Sequence, residues 1–589
     1  MNKLLKSFLI SLGILTVVAY FYILLPVWGI PFNARRHGHP PLTPAWALEC
    51  WLWEDDENTA ARVDELLTGY RAHDIPVRTI LIDSPWSMRY NDYEVDTLRY
   101  PHPEQWFPAL QDSGYRVVLW TTSMVNSYSK DTRIQHSERW YEAARDSGYL
   151  CGGGYQYKWW KGTGGFIDYT NAAAMRWWHG LQDKVLSLGI DGWKLDGTAT
   201  YFGGRAGPLP LFYQKSRKGV MTTRQYMDHY YRDEYNYGLT KNPQFVTLTR
   251  AMDRRYHPEG FAPVDASPVN WVGDQEHYWE SKDQLDEKYK SDGEDIALKG
   301  IQGFESAIHN ILRSAKTGYN IIGSDVAGFS GRHIPPRLYI RWAQFSTFCG
   351  LFLNGGHGER ALWKRSPQEL EIIRHYAWLH TELVPYMYHY VVTGHRGGPL
   401  LMTPVKGDHQ YLFGEWLLSA PIYRDDLRRK VTLPKGKWRY WFDDRKVIEG
   451  PVTFTRNYPL EEYPLFIREG AIIPVKVSRS YTGLGDTASA DYLTLLIWPG
   501  GNSSFDIYRE GGEQKTSVQV TKKDSIVTIA LTGKKRPHIL RIHLAKRPEK
   551  ILLDGKEITD LVSYNEKPQK LIIKTDHYSK GVYSIIMTP

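Results

Sequence analysis

The stretch GIDGWKLDGTATYF, residues 189–202, places a carboxylate directly after a short apolar segment. The residues GWKL are typical of a buried strand, and Asp196 follows them at the start of a glycine-containing turn. A carboxylate at this point can cap the loop, bind a metal ion or take part in catalysis. The stretch alone favours the capping role, because Asp commonly stabilises the turn that follows a strand.

Similar apolar, β-rich runs recur along the chain and alternate with helix-like segments. These runs are VRTILID (77–83), YRVVLWTT (115–122), QFVTLTR (244–250), YNIIGSD (319–325) and STFCGLFLNG (346–355). Repeated strand–helix units indicate a parallel sheet, either a barrel or an open doubly wound sheet. No GxGxxG or GxxxxGK(S/T) motif follows any of these strands, so a nucleotide-binding sheet has no support. We therefore predict an α/β fold with a (β/α)8 TIM barrel over residues 38–397.

Polar and aromatic side chains stand at the ends of these strands. In a parallel barrel the carboxyl ends of the strands form the active-site face. The residues at or just beyond those ends are Asp83, Trp120, Asp196, Arg250, Asp325 and His357. Any one of them alone has a simpler explanation as a turn or helix-cap residue. Together they predict one site at the mouth of the barrel.

Several of these segments carry a family resemblance. GIDGWKLDGT resembles the nucleophile strand of glycoside hydrolase family 31. The segment TLTRAMDRRYHPEGFAPVDASPVNWVGDQ (247–275) is similar to the family's arginine-bearing strand and its Trp-x-Gly-Asp element. GYNIIGSDVAGF (318–329) is similar to the family's GDIGGF segment, and residues 431–474 look like the β-sandwich that follows the barrel in these enzymes.

The resemblance implies a retaining, exo-acting α-glycosidase with two catalytic carboxyl groups. Asp196 is the expected nucleophile, and Asp274 is the expected general acid and base. The substrate-binding residues that it implies are Asp83, Trp120, Arg250, Trp271, Asp325 and His357. Retention requires two carboxyl groups of opposite protonation about 5–5.5 Å apart. The implied partner is an oligosaccharide or glycoside, and neither a metal ion nor a cofactor is expected.

Other carboxylates and loops have weaker claims on the site. Asp265 is the reserve acid and base, in a Pro-rich loop before Asp274. Asp191 is interpreted as a cap before the strand, and Asp168 as a residue of a helix-cap region that could brace the site. WWKGTGG (159–165) is either a pocket loop or a Gly-rich turn with buried aromatic residues.

The chain departs from the family pattern in ways that leave the sugar open. The barrel begins soon after the apolar N-terminal segment, so we expect the usual preceding β-sandwich to be missing. A barrel insertion at 198–242, or a second subunit, would then complete the rim of the pocket. KLDGT lacks the acidic residue that often follows the nucleophile, and SDVAGF has Ala where Gly is usual. An α-glucoside is the first expectation, with an α-galactoside or α-xyloside as the alternatives.

The N-terminus is long and apolar. No charged side chain occurs over residues 7–34, which is enough to cross a bilayer as a helix, and Lys3 and Lys6 precede this stretch. Because no clear small-x-small cleavage site follows, we expect residues 1–37 to form an uncleaved single-pass anchor and tether with an extracytoplasmic catalytic body. A cleaved signal peptide, giving a secreted or periplasmic protein, and a buried core helix are the alternatives.

The rest of the sequence adds two domains and excludes some functions. Alternating β-rich segments and turn dipeptides predict β-sandwiches at 398–480 and 481–589. The net charge of +8 is not gathered into Lys/Arg runs, so nucleic-acid binding has no support. The 14 % aromatic share suits sugar stacking and ordinary cores alike. Two other classes stay open: an inactive carbohydrate-binding relative and a metal-dependent barrel hydrolase, although no HExxH motif occurs.

Overall fold

A computed structural model places most of the chain. It describes residues 3–28, 38–55, 57–196, 202, 204–206, 209–251, 262–279, 303–329, 333–356, 358–534, 536–576 and 581–588. The chain forms two compact units, each assembled from discontinuous segments. The first unit comprises Met1–Pro41, Leu52–Leu67 and Thr79–Gly273, and the second comprises Leu42–Trp51, Thr68–Arg78 and Asp274–Pro589.

Eight strands form one parallel sheet. They are β1 (Trp51–Glu54), β2 (Thr79–Ile82), β3 (Arg116–Thr121), β4 (Gly192–Leu195), β5 (Val246–Arg250), β6 (Val269–Trp271), β7 (Ile322–Gly323) and β8 (Leu353–Gly355). Their order in the sheet is β7–β6–β5–β4–β3–β2–β1–β8, which is sequential apart from the closing strand. A parallel bridge between Asp325 and Leu353 joins the ends of β7 and β8 and nearly closes the barrel. The predicted TIM barrel is confirmed.

Helices alternate with these strands, as a barrel of this kind requires. The apolar helix α1 (Lys3–Ala19) precedes the barrel, and the others are α2 (Ala60–Ala72), α3 (Pro103–Asp112), α4 (Glu138–Asp146), α5 (Ala172–Leu186), α6 (Thr223–Lys241), α7 (Phe304–Thr317), α8 (Pro336–Thr347), α9 (Pro367–Glu382) and α10 (Val384–His395). The sequence sets some of their ends directly. Thr222 and Gln225 form a capping box that starts α6, which fixes the point where the chain leaves the preceding hairpin.

The strand β4 lies at the centre of the first unit. All four of its residues are buried, and it pairs in parallel with β3 on one side and β5 on the other. A Cβ atom on Gly192 would lie 2.5 Å from the carbonyl oxygen of Val246. Glycine at this position therefore allows the two strands to pair closely, and the strand ends are brought side by side.

Two insertions follow strands of the first unit. The three-stranded antiparallel insert sheet follows β3 and contains Met124–Ser129, Gly162–Phe166 and Tyr157–Trp159, in that spatial order. After β4, Gly204–Ala206 pairs with Leu209–Leu211, and Tyr213–Ser216 pairs with Gly219–Thr222 in a second hairpin. The predicted insertion at 198–242 therefore contains two hairpins and the helix α6, as far as its described residues extend.

The C-terminal part of the second unit contains three mainly antiparallel sheets. Their strands, in spatial order, are Met402–Pro404, Tyr411–Phe413, Leu417–Ser419, Leu465–Arg468, Arg428–Tyr440 and Asp443–Asn457 in the first; Ile472–Val475, Leu493–Ile497, His538–His543, Lys570–Thr575 and Val562–Asn565 in the second; and Asn502–Tyr508, Lys515–Lys523, Ile526–Gly533, Val582–Ile586, Lys550–Leu553 and Lys556–Glu557 in the third. The expectation of antiparallel sheets after the barrel is confirmed.

The N-terminal apolar segment is helical. Within the described residues, Leu5–Val27 is the helix that is long and apolar enough to cross a membrane. It runs through α1 and continues as a π-helical segment, Tyr20–Trp28, which contains Pro26. A membrane anchor and a signal sequence both have these properties.

Candidate active site

The carboxylate of Asp196 is held at the carboxyl end of β4. Its backbone N–H donates to the carbonyl of Thr121 at 3.2 Å, which continues the β3–β4 pairing by one residue. Its Oδ1 accepts a hydrogen bond from Nη2 of Arg250 at 2.9 Å, and its Oδ2 accepts one from Nε1 of Trp120 at 3.3 Å. The side chain is 12 % exposed. Three neighbouring strands therefore fix one carboxylate that still reaches the surface.

The surroundings of Asp196 keep it ionised. Burial alone raises the pKa of this carboxyl group, but the positive charges of Arg250 and Lys194 and the hydrogen bonds from Arg250 and Trp120 outweigh burial. The pKa therefore lies below the usual value of an aspartate. A carboxylate that is ionised, oriented and partly accessible at the mouth of a barrel is suited to act as a nucleophile.

The position of Arg250 depends on the loop after β6. Arg250 ends β5 and pairs with Trp271 at the end of β6, and its guanidinium lies 4.7 Å from the centre of the indole ring. Gly273 has a φ of +93°, and a Cβ atom on it would approach Nη1 of Arg250 to 2.7 Å. Glycine therefore both permits this turn and leaves room for the guanidinium beside Asp196.

A buried lysine that the sequence reasoning missed joins two of the predicted residues. Nζ of Lys194 lies 2.6 Å from Oδ2 of Asp83, and both side chains are over nine-tenths buried. The same ammonium lies 5.3 Å from the ring centre of Trp271 and 5.9 Å from that of Trp53. Lys194 precedes Asp196 by two residues in β4, so both side chains point to the same face of the strand. A lysine inside an otherwise apolar strand was the signal that could have revealed it.

Aromatic side chains lie on one side of the Asp196 carboxylate. The rings of Trp120 and Trp159 are nearly parallel, with centroids 6.3 Å apart, and Tyr90 packs edge-on against Trp120 at 5.6 Å. Trp159 belongs to the WWKGTGG stretch, which forms part of the insert sheet. Nε1 of Trp159 donates to the side-chain oxygen of Asn126, and this bond fixes the ring against Trp120. The neighbouring Trp160 is 42 % exposed. The stretch therefore supports these aromatic side chains through Trp159.

Two other predicted residues belong to the second unit, and one lies outside the described residues. Asp274 opens the loop after β6 and is exposed. Asp325 is buried, and it follows β7 at the point where that strand bridges Leu353. His357 lies outside the described residues. The structure thus joins Asp83, Trp120, Asp196, Arg250 and Trp271 by direct contacts or through Lys194 within the first unit.

The loops that carry Asp274 and Asp325 are bonded to each other. The backbone N–H of Phe329 donates to the carbonyl of Gln275 at 2.6 Å, and Nδ1 of His277 lies 2.6 Å from the carbonyl oxygen of Ala327. Ala327 has a φ of +69°, a conformation that favours glycine. This geometry explains why glycine is the expected residue at that position of SDVAGF. The alanine present here carries the strain of that conformation.

The remaining carboxylates have structural partners. Asp265 forms an ion pair of 2.7 Å with Arg232. Asp191 accepts hydrogen bonds from the backbone of Val117 at 3.0 Å and from Arg116 at 2.9 Å, so it ties β3 to the start of β4.

Asp168 was expected in a helix-cap region, and it stabilises two turns. Its Oδ1 accepts from the backbone N–H of Thr170 at 2.9 Å, and its Oδ2 accepts from that of Arg217 at 2.6 Å. The carboxylate therefore also holds the 213–222 hairpin. Over the described ranges, no group of three or more His, Cys, Asp and Glu side chains could hold a metal ion.

A parallel α/β barrel with an ionised carboxylate and tryptophan side chains at its strand ends is the arrangement expected of a barrel enzyme, whose active site lies at the carboxyl ends of its strands. The comparison with protein families identifies which one. Residues 40–286 and 295–390 match the model of the glycosyl hydrolases family 31 TIM-barrel domain. Residues 399–473 match that of the glycosyl hydrolase family 31 C-terminal domain. The chain therefore belongs to glycosyl hydrolase family 31.

Known relatives are similar over much of this chain. An alpha-xylosidase of Emericella nidulans is 26 % identical over 471 residues, which cover 74 % of this chain and 54 % of that protein. Alpha-glucosidase 2 of Bacillus thermoamyloliquefaciens is 23 % identical over 559 residues, which cover 88 % and 66 %. The chain thus spans between about half and two thirds of the length of these relatives.

A solved structure has the same fold. The family 31 dextranase FjDex31A of Flavobacterium johnsoniae, complexed with glucose, superposes with a TM-score of 0.77 at 20 % identity. The superposition covers 93 % of this chain and 71 % of that one.

Proposed function

We propose that this protein is a retaining, exo-acting α-glycosidase that hydrolyses a terminal α-linked hexose, with an α-glucoside as the first choice. The observation that carries the proposal is the carboxylate of Asp196, which Arg250 and Trp120 hold ionised at the end of β4. A double displacement needs such a group to attack the anomeric carbon and form a covalent glycosyl-enzyme.

The second carboxyl group of the proposed mechanism is Asp274. It would protonate the leaving oxygen in the first step and then remove a proton from the attacking water in the second. Its exposed position directly after the Gly273 turn supports this role, because the loop follows the carboxyl end of β6. Family membership supports it as well, because glycosidases of this type use a pair of carboxyl groups. Asp265, paired with Arg232, is the reserve.

The sugar would be held by charged and aromatic side chains around Asp196. Asp83, fixed by Lys194, would accept hydrogen bonds from ring hydroxyls, and Arg250 would donate to them. Trp120 and Trp271 would line the pocket against the apolar edges of the ring. Asp325 and His357 complete the proposed set on the strength of the family resemblance. The charges of Asp83 and Lys194 are buried together, which supports a binding role that needs a fixed geometry.

The choice of sugar rests on fewer observations than the mechanism. The relatives include an alpha-xylosidase and an alpha-glucosidase, so α-xylosides stand beside α-glucosides, and α-galactosides are the third choice. Turnover of a panel of nitrophenyl α-glycosides tests the sugar directly. Complete absence of turnover on the panel would instead favour an inactive carbohydrate-binding relative.

The catalytic assignment has its own test. We expect Asp196→Ala to abolish hydrolysis, and azide to restore formation of a β-glycosyl azide, because azide occupies the space of the missing carboxylate. Near-normal activity of Asp196→Ala would refute the assignment. We expect Asp274→Ala to lose far more activity on poor leaving groups than on activated aryl glycosides. Equal losses on both would move the acid role to Asp265, and Asp265→Ala would then be compared on the same two kinds of substrate.

We also propose that residues 1–37 anchor the protein in a membrane, with the catalytic body on the extracytoplasmic side. The uninterrupted apolar helix Leu5–Val27 supports this. Alkaline extraction of membranes and N-terminal sequencing of the purified protein test the proposal. Release of the protein by alkali would refute the anchor. A new N-terminus after residue 27 would show a cleaved signal sequence, and an intact N-terminus on the released protein would favour a core helix.

A further inference from the structure

The N-terminal apolar helix has two parts with different surroundings. All described side chains at residues 5–19 are exposed, including Ile10 at 64 % and Leu15 at 65 %. From Tyr20 onward most side chains are partly or fully buried, and Val27 is 1 % exposed. Residues 5–19 are thus free to face lipid on all sides, whereas the helix from Tyr20 onward is packed against the rest of the first unit.

The second part of the helix packs on the segment that follows the catalytic strand. Oη of Tyr213 donates to the carbonyl oxygen of Phe21 at 2.6 Å. The rings of Tyr22 and Phe212 meet edge to face, with centroids 5.6 Å apart. These contacts attach one hairpin to the point where the exposed part of the helix ends.

That hairpin is basic, and we call residues 213–222 the basic hairpin. Lys215, Arg217 and Lys218 are exposed, and Val220 beside them is 75 % exposed. No acidic residue occurs anywhere in the sequence from 209 to 227. Asp168 lies beneath the turn and accepts from the backbone N–H of Arg217, but it is 2 % exposed and belongs to the support of the turn.

The position of the contact matches the boundary of a bilayer. Residues 5–22 form a helix of about 27 Å at about 1.5 Å per residue, close to the hydrocarbon thickness of about 30 Å. Tyr20 and Tyr22 then fall where aromatic residues are enriched, at the lipid–water boundary. If the hydrocarbon instead enclosed the helix as far as Val27, the contact of Tyr213 with Phe21, where the basic hairpin begins, would lie inside it, and bringing this polar segment into the hydrocarbon is unfavourable.

We propose that the basic hairpin is a second membrane contact, which binds the head groups of anionic phospholipids while Val220 enters the interface. The proposal rests on the proposed membrane anchor. The anchor supplies the attachment, and the charges of the hairpin complement the negative surface of such a bilayer. As a result, the segment that leads away from the nucleophile is held at the membrane surface.

A fluorescent label at the hairpin tests this contact on the full chain. Val220→Cys is labelled with an environment-sensitive dye, and Leu98→Cys, at a site that is 72 % exposed, is the matched control. The native cysteines Cys50, Cys151 and Cys349 are buried, so the dye reacts at the introduced site. The protein is reconstituted in phosphatidylcholine nanodiscs with or without phosphatidylglycerol, and a lipid with a nitroxide on its head group serves as the quencher.

We expect the label at 220 to shift to the blue and to lose fluorescence to the nitroxide when phosphatidylglycerol is present, and the label at 98 to change little. The triple variant Lys215→Gln/Arg217→Gln/Lys218→Gln should abolish the difference between the two lipid mixtures, and high salt should do the same. Unchanged turnover of an aryl glycoside by that variant shows that it is folded.

Three results would overturn the proposal: equal quenching at 220 and 98, quenching that does not depend on phosphatidylglycerol or on the three basic residues, or a spectral shift that depends on protein density rather than on lipid. The last result would identify a second copy of the chain as the partner. Failure of the anchor is recognised separately, because the protein would then be released by alkali and would not remain with the nanodiscs.

Discussion

The ionisation of Asp196 depends on one arginine, and Arg250→Gln tests that dependence. In the wild-type protein the pKa of Asp196 is lowered, so its carboxylate persists until the pH falls through that value. In the proposed mechanism the acid limb of the kcat/KM profile follows the ionisation of Asp196. Removing the charge of Arg250 raises the pKa of Asp196, so we expect the acid limb to move to higher pH.

The size of the shift follows from the geometry. Nη2 of Arg250 lies 2.9 Å from Oδ1 of Asp196, which puts the two charge centres roughly 4 Å apart. At an effective dielectric constant of about 20, unit charges at this distance interact by about 4 kcal/mol, which corresponds to about 3 pKa units as an upper limit. Asp196 is 12 % exposed and Lys194 remains nearby, and both reduce the effect. We therefore expect a shift of about 1–2 units, within the range usual for an aspartate beside an arginine.

The assay is the pH profile of kcat/KM with an activated aryl α-glycoside, whose leaving group needs no protonation. Arg232→Gln is the matched control, because it removes the same charge from the pair with Asp265 and leaves Asp196 untouched. An acid limb that stays in place in Arg250→Gln, while the activity falls at all pH values, would refute the electrostatic role. It would leave Arg250 as a residue that binds sugar hydroxyls only.

Three other predictions concern the support of the site and of the fold. Gly273→Ala should lower kcat/KM more than tenfold, because its Cβ would displace the guanidinium of Arg250 from Asp196. Gly153→Ala, at a φ of +63° and with no other atom within 4 Å of the added Cβ, should add backbone strain alone and keep its activity. Lys194→Met should lower the unfolding temperature sharply, since an ionised Asp83 left without its cation costs about 3–5 kcal/mol. Adding Asp83→Asn to that variant should recover part of the loss. Equal unfolding temperatures of the single and double variants would contradict the pairing. Burial raises the pKa of Glu382 to about 8 from an ordinary 4.5, so its contribution to stability is complete below about pH 4.5 and is lost as the pH rises through about 8. Glu382→Gln should therefore flatten the unfolding temperature over this range, and an unchanged slope would count against that pKa.

The sequence predicts the barrel and the contacts at its mouth for the same physical reason. Parallel strands that follow one another in the chain also lie side by side, so residues at their carboxyl ends must meet. Trp120 and Arg250 each contact Asp196, and Arg250 also contacts Trp271. Strand position was sufficient to place Trp120, Asp196 and Arg250 together, whereas Trp271 was expected from the family resemblance alone.

The parts that could not be predicted depend on contacts between distant segments. Trp159 lies in an insertion, and nothing in WWKGTGG indicates that its ring stacks on Trp120. The bond between Tyr213 and Phe21 joins two segments that are 192 residues apart. The sequence pattern of an apolar run is the same whether the run faces lipid or packs on a hairpin. The burial of the helix from Tyr20 onward is therefore visible only in the structure. Such contacts follow from tertiary packing, which local patterns do not encode.

The pairing of Lys194 with Asp83 also affects the charge around Asp196, the proposed nucleophile. Two cations surround Asp196, and a carboxylate that is stabilised too strongly by positive charge is a poor nucleophile. Asp83 pairs with Lys194 at 2.6 Å, while Asp196 accepts one charged hydrogen bond, from Arg250, and one neutral hydrogen bond, from Trp120. The two negative charges of Asp83 and Asp196 balance the two positive charges of Lys194 and Arg250. In the proposed mechanism this cluster keeps Asp196 ionised without opposing the positive charge that develops on the sugar in an oxocarbenium-like transition state. A buried ion pair gives little net stability, and in the proposed mechanism the Lys194–Asp83 pair contributes this charge balance instead.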